Sequence, residues 1–156
     1  MLKMVLKIVA ALFAVGFVIL QFFRIDQTNP PALAAEALET AVTVPPDIAL
    51  IFGRSCNDCH SHKTVYPWYA NVQPAAWFLK DHVEHGKEHL NLSKFNSYDR
   101  KKKIKKLEEI CDEVEAGNMP LASYLWLHRD AVMNESEKKV LCSWTAIEIA
   151  KLEAME

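Results

Sequence analysis

Two thiols and an imidazole fall within five positions, at Cys56-Asn57-Asp58-Cys59-His60. If this run continues as a helical turn, offsets of three and four residues place all three side chains on one face. Two thiols so placed can reach the vinyl groups of a porphyrin edge, and the adjacent imidazole can sit beneath the iron. C-x-x-C-H is the attachment pattern of c-type haem, in which His supplies an axial ligand. Two other chemistries use the same residue types. Zinc takes four protein ligands, typically from a second pair at matching spacing. Cys111 and Cys142 stand singly, so a zinc site would have to draw on His82, His85 or His89. A thiol–disulfide redox pair belongs in a βαβ setting, and no such setting is visible here.

With His60 on one side of an iron, the other side needs a methionine sulfur or a second imidazole. Met1 and Met4 lie in an apolar N-terminal run and Met155 at the far end, which leaves Met119 and Met133. Met119 is the better placed. The stripe Ile104, Leu107, Ile110, Cys111, Val114 predicts a helix over 98–116, and Gly117 stops it. Pro120 biases Met119 towards an extended backbone in the loop that follows, from which its sulfur can be aimed across a haem face. The competing reading is that Met119 fills core. His82, His85 and His89 share one face of a helix opened by Pro74 and could give a bis-His haem instead. Against that stands a solvated face carrying Asp81, Glu84 and Glu88. His62 is too near His60 to reach the opposite haem face and reads as a surface or supporting group; His128 reads as structural. A single C-x-x-C-H means a single covalent haem.

The stretch after the motif, "VYPWYANVQPAAW", is dense in rings. Tyr66, Trp68, Tyr69 and Trp77 could cover a flat apolar disc and offer an N–H or O–H to a propionate. Trp68 and Trp77 are expected to line the pocket together, with ordinary core and loop packing as the alternative for each ring.

The elements that must position these groups follow from the rest of the chain. Its 156 residues allow one domain plus its ends, and a net charge of −2 argues against a nucleic-acid partner. With only 4 glycines and few alternating runs, the expected class is all-α. Residues 1–24 differ from the remainder. Lys3 and Lys7 precede an unbroken apolar run, Ile8 to Leu20. At ~1.5 Å per residue, a helix through Phe23 just crosses a hydrocarbon core of ~30 Å. The flanking lysines hold the N-terminus in the cytoplasm. The expectation is therefore a single-pass anchor in the cytoplasmic (inner) membrane with the remaining chain on the periplasmic side. Cleavage as a signal peptide is the rival, but Ala32-Leu33-Ala34 lies too far beyond the apolar run. Residues 25–46, with paired prolines at both ends, read as a linker, and residues 47–156 as the haem-binding domain.

Outside the cytoplasm, cysteines pair or carry a cofactor. Cys111 falls on the helix over 98–116 and Cys142 on a second, over 135–154, opened by Asn134 and Glu137 at cap and N3 positions. A disulfide between them and two buried free thiols are both open at this point. The basic run Arg100–Lys106, followed by Glu108, Glu109, Asp112, Glu113 and Glu115, reads as an exposed helix face with i, i+4 pairing, or as a docking patch for an acidic redox partner.

Four motifs in order, "CNDCHSHKTVYPWYANVQPAAW", "EHLNLSKF", "NMPLASYLWLH" and "SEKKVLCSW", with "TNPP" at 28–31, resemble the small haem-binding-domain family of membrane-anchored c-type cytochromes. The resemblance covers nearly all of the chain beyond the anchor. It implies a helical domain with one covalent haem, and an M-P loop after a helix presenting the distal sulfur of Met119. The expected function is electron transfer by Fe(III)/Fe(II) cycling between redox partner proteins of unknown identity, not an enzyme activity. A haem sensor or small haem enzyme with a labile or His sixth ligand is the alternative, and a zinc or dithiol module a weaker one.

Overall fold

The computed structural model describes residues 1–154, so Met155 and Glu156, the last two positions of the expected domain, lie outside the described residues. Their regular elements are all helical, with no strand among the described residues. In chain order the α-helices are α1 (Leu2–Leu20), α2 (Leu38–Ala41), α3 (Pro46–Ser55), α4 (Asn57–His60), α5 (Ala75–His89), α6 (Arg100–Glu115), α7 (Ala122–Leu125) and α8 (Glu135–Glu153). Short 3-10 turns at Ala34–Glu36, Trp68–Asn71, Leu92–Ser97 and Arg129–Ala131 connect them.

Each long helix has a local cause. In α3, Pro46 occupies the first turn, where its missing N–H costs nothing, and Ile48, Ile51 and Phe52 form the buried stripe. Asp99 caps α6 by accepting from the Lys102 amide at 2.8 Å, and Leu107, Ile110 and Val114 are its buried face. The helix ends in a Schellman arrangement around Gly117, whose φ of +74° suits a residue without Cβ. There the Gly117 amide donates to Val114 O at 3.2 Å and the Asn118 amide to Glu113 O at 2.9 Å. Asn134 and Glu137 close a reciprocal capping box on α8. The basic face of α6 is largely satisfied from within. Lys105 and Lys106 pair with Glu109, Lys103 donates to Asn96, and the Lys102 ammonium lies over the Tyr98 ring.

Helices α6 and α8 pack side by side, and the main core runs from their interface to α3, with Phe52 edge-on to Trp144 at 5.5 Å. A Cys111–Cys142 disulfide joins α6 to α8, and an Arg54–Glu137 ion pair ties α3 to α8. The disulfide closes a loop spanning a sequence separation of 31 residues. By loop entropy alone, the Cys111→Ala/Cys142→Ala double variant should lose about 3–4 kcal/mol. A denaturant titration of the two proteins, comparing midpoints at unchanged slope, measures this.

The segment 25–46 is not the free linker expected from its prolines. The Gln27 amide donates to Ala70 O at 3.1 Å, and the Asn29 amide to Thr64 O at 2.9 Å. His62 donates to Pro31 O at 2.8 Å, and Trp144 donates its indole N–H to Thr43 O at 2.8 Å. Leu38 and Val42 are core residues. Proline pairs forbid a continuous helix but not an extended strap whose carbonyls find donors on the domain. His62, expected at the surface or in support, is buried in this seam and also accepts from the Asn91 amide at 3.0 Å. Helix α1 buries none of its residues in the protein and, with a mean hydropathy of 2.3, is long and apolar enough to cross a membrane.

Candidate haem-binding site

Between α3 and α4 the chain kinks at Cys56 (φ −127°, ψ −42°), whose carbonyl accepts from the amides of Cys59 and His60 at 3.2 and 2.9 Å. This single turn carries Cys56, Cys59 and His60 onto the wall of one cavity of about 670 Å³. The volume falls within the range of small-molecule and cofactor sites. Opposite and around them stand Phe52, Leu90, Ile110, Val114 and Leu121, an apolar surface suited to a flat macrocycle.

His60 is oriented by the backbone of α5. Its Nδ1 lies 2.8 Å from Gly86 O and 3.2 Å from Leu90 O. Carbonyl oxygens only accept, so Nδ1 carries the proton and Nε2 keeps its lone pair for a metal. Burial holds the imidazolium form below its usual range, which favours the neutral, ligating form.

Gly86, which the sequence reading did not single out, makes this possible. A Cβ there would lie 2.8 Å from Cys59 O and 3.2 Å from Cys59 Cβ. Only glycine lets α5 approach α4 this closely. Gly86→Ala should force the two apart, weaken the His60 hydrogen bond and cost ~1–3 kcal/mol. Its expected signature is a lower ratio of bound haem to polypeptide, read by absorbance against total protein.

Burial raises both motif thiols, Cys56 to about 12 with Cys59 as a second influence, and Cys59 to about 11 with Asp58 as the second. A dithiol redox module works the other way, holding its attacking sulfur as a thiolate. Zinc finds no cage here either. Among the described residues, the His/Cys/Asp/Glu group with ligand atoms within 4.8 Å of one another is Cys111, Glu115 and Cys142, and its two sulfurs are already joined.

Met119 stands on the cavity wall, delivered by the α6 terminus, where its amide donates to Glu113 O at 3.1 Å. Met133 lines the same cavity from a buried position. So do His82, His85 and His89, but His82 and His85 place Nδ1 at 2.8 Å from the carbonyls of Phe78 and Asp81 on their own helix.

The four rings expected at the haem lie off the cavity wall. Trp68 and Trp77 are exposed, at 74% and 40%, and neither is on the wall. Tyr66 and Tyr69 pack with Leu79, Val83 and Cys59 in a second core cluster, behind the cavity rather than on it. Polar ends and proline-fixed turns make aromatic rings equally good at loops and surfaces, so ring density alone did not locate the wall. The aromatic rings on the wall are Phe52, on α3, and Tyr124, on α7. The Tyr124 hydroxyl donates to Asp58 Oδ2 at 2.8 Å, and burial, then Asp58, pushes its pKa up, so it remains a neutral donor. Its ring stacks on His128 at 4.0 Å, and His128 Nε2 lies 2.9 Å from the Tyr69 hydroxyl. The structural reading of His128 fits this stack. Tyr124 lies five residues past Met119, and the shared approach of "NMPLASY" to one site was the only sign of it.

Two thiols and a metal-ready imidazole on one apolar wall, with thioethers available on the same wall, are a donor set that fits a covalently held haem. Residues 15–147 match the family described as Haem-binding domain. No curated protein and no solved structure matched the chain. The match covers most of the chain, including the strap 25–46 and the cavity-lining helices α3 to α7, and so the protein belongs to the haem-binding-domain family and is a haem protein.

Proposed function

We propose that the protein is a membrane-tethered, mono-haem c-type cytochrome that carries electrons. The observation that carries this reading is the convergence of Cys56, Cys59, His60 and Met119 on one cavity, with the His60 proton committed to Gly86 and Leu90. A bound haem supplies an iron that cycles between ferric and ferrous states. The chain's own groups do the rest. Cys56 and Cys59 would hold the macrocycle to α4 through thioethers, each thiol adding its S–H across a vinyl group. His60 Nε2 and the Met119 sulfur would ligate its iron, and a thioether ligand would favour the reduced state. Phe52, Ile110 and Val114 exclude water from the faces. With both ligands supplied by the chain, a bound haem would offer no open position to a substrate, so the role would be electron transfer, with redox partner proteins as donor and acceptor.

Lys3 and Lys7 at the start of α1, together with the Cys111–Cys142 disulfide, support a single-pass anchor in the cytoplasmic membrane with the haem domain on the periplasmic side. A second reading, a haem sensor or small haem enzyme with an exchangeable sixth ligand, draws on Met133 and the three histidines that share the wall. Carbon monoxide added to the reduced protein separates the two. The proposed carrier binds it slowly and weakly; rapid, tight binding would support the sensor and contradict the carrier.

A further inference from the structure

The end of α1 is fastened to the haem domain rather than swinging from it. Gln21 donates to Gln73 O at 3.2 Å and accepts from the Gln73 amide at 2.9 Å, while the buried Gln73 side chain donates to Phe23 O at 2.7 Å. Ile25 then packs on the cluster of Leu79 and Val83 that also receives Cys59. The joint thus runs from the apolar helix to the haem-attachment turn without a free segment. Around it stand large rings in solvent: Phe22 at 80%, Phe23 at 59%, Trp68 at 74%, Trp77 at 40% and Phe78 at 56% exposure. Trp68 opens the 3-10 turn that ends at Asn71, which accepts from Arg24, and Trp77 and Phe78 lie in the first turn of α5, directly after Gln73-Pro74. Apolar patches of this kind mark interaction sites, and tryptophan with phenylalanine favours the boundary between headgroups and acyl chains.

We infer that Trp68, Trp77 and Phe78 lie in the interfacial layer of the bilayer that α1 enters, so that the domain is seated on the lipid surface with its haem at a fixed tilt. The inference rests on the reading of α1 as a membrane span. Lipid is the occupant because the patch is continuous with the exit of α1: a bilayer reaching Phe22 and Phe23 also reaches the loop that Gln21 and Gln73 hold beside them. Arg24 stands beside the patch with a positive charge that suits a headgroup phosphate, while Lys80 there pairs with Glu84 at 3.6 Å.

The test uses the full-length holoprotein in nanodiscs of phosphatidylcholine and phosphatidylglycerol. In it Cys56 and Cys59 are consumed by haem and Cys111 and Cys142 by each other, so a nitroxide on Trp68→Cys, Trp77→Cys or Lys139→Cys sits on a unique thiol. Lys139 is an exposed control on α8, which packs on α6 and α3. Dissolved oxygen should relax the labels at 68 and 77 more than a water-soluble nickel chelate does, with the order reversed at 139. The same order at all three positions would overturn the inference. So would protection at 68 and 77 that appears only when membrane proteins are added, since that patch would then belong to a protein partner. As a check that needs no substitution, the ferric haem resonance of wild-type protein in oriented multilayers should change with sample angle; an isotropic signal overturns a fixed tilt. Haem content and co-elution with the discs are read separately, so a colourless protein counts against the proposed function and an isotropic coloured one against the seating alone.

Discussion

The Cys56→Ser/Cys59→Ser variant, made in cells that assemble c-type cytochromes, should carry no haem that survives acid–acetone extraction, whereas wild type should keep its colour through the same treatment. The loss should be complete, because serine hydroxyls form no thioether and nothing else on α4 can bond the macrocycle. Each single variant should retain one bond and a haem of altered spectrum. The expectation follows from placement as well as pattern. Both thiols lie on the wall of the 670 Å³ cavity, and the Cys56 carbonyl bonds that shape the turn do not involve the sulfurs. Serine therefore leaves the fold intact, and helical circular dichroism should be preserved. An extractable haem in wild type would mean that the cavity binds haem without bonding it.

Met119→Ala should change the axial signature of the iron, while Met133→Ala should not. A thioether stabilises ferrous over ferric iron, so its removal should lower the midpoint potential by at least ~60 mV, a tenfold change in relative affinity for the two oxidation states. It should also open the sixth position to carbon monoxide. Met133 touches the same cavity but belongs to the main core, so Met133→Ala should act chiefly on stability, at ~2–5 kcal/mol. A reduced-minus-oxidised spectrum and a potentiometric titration of both variants check the pair. If the two exchange behaviours, Met133 is the ligand. If neither moves the spectrum, one of His82, His85 and His89 is.

The helices around the site were legible where cause and effect lie close in the chain. The stripe from Ile104 to Val114 and the stop at Gly117 placed α6 within two residues, because a buried face and a left-handed cap are local properties. The capping box at Asn134 likewise placed the start of α8. The offsets within the five-residue motif placed the short helical turn α4 for the same reason. What the sequence concealed depends on contacts between distant segments. Gly86 matters only because its carbonyl meets His60, and its missing side chain meets Cys59, 27 positions earlier. The segment 25–46 read as a linker because its hydrogen-bond partners, Thr64, Ala70 and Trp144, lie far along the chain. Ring density near the motif did not point to the wall, since Trp68 and Trp77 are exposed while Phe52 and Tyr124 line the cavity. Spacing could not choose between a Cys111–Cys142 bond and two free thiols; the packing of α6 on α8 brings the pair together.

Everything else hangs on what is bonded to two sulfur atoms. Peptide mass spectrometry of wild-type protein from cells with a cytochrome c assembly system addresses this directly. The peptide containing Cys56, Cys59 and His60 should carry the added mass of one haem, with neither thiol open to alkylation. The same peptide at its bare mass, with both cysteines alkylated, would contradict a c-type haem at this site.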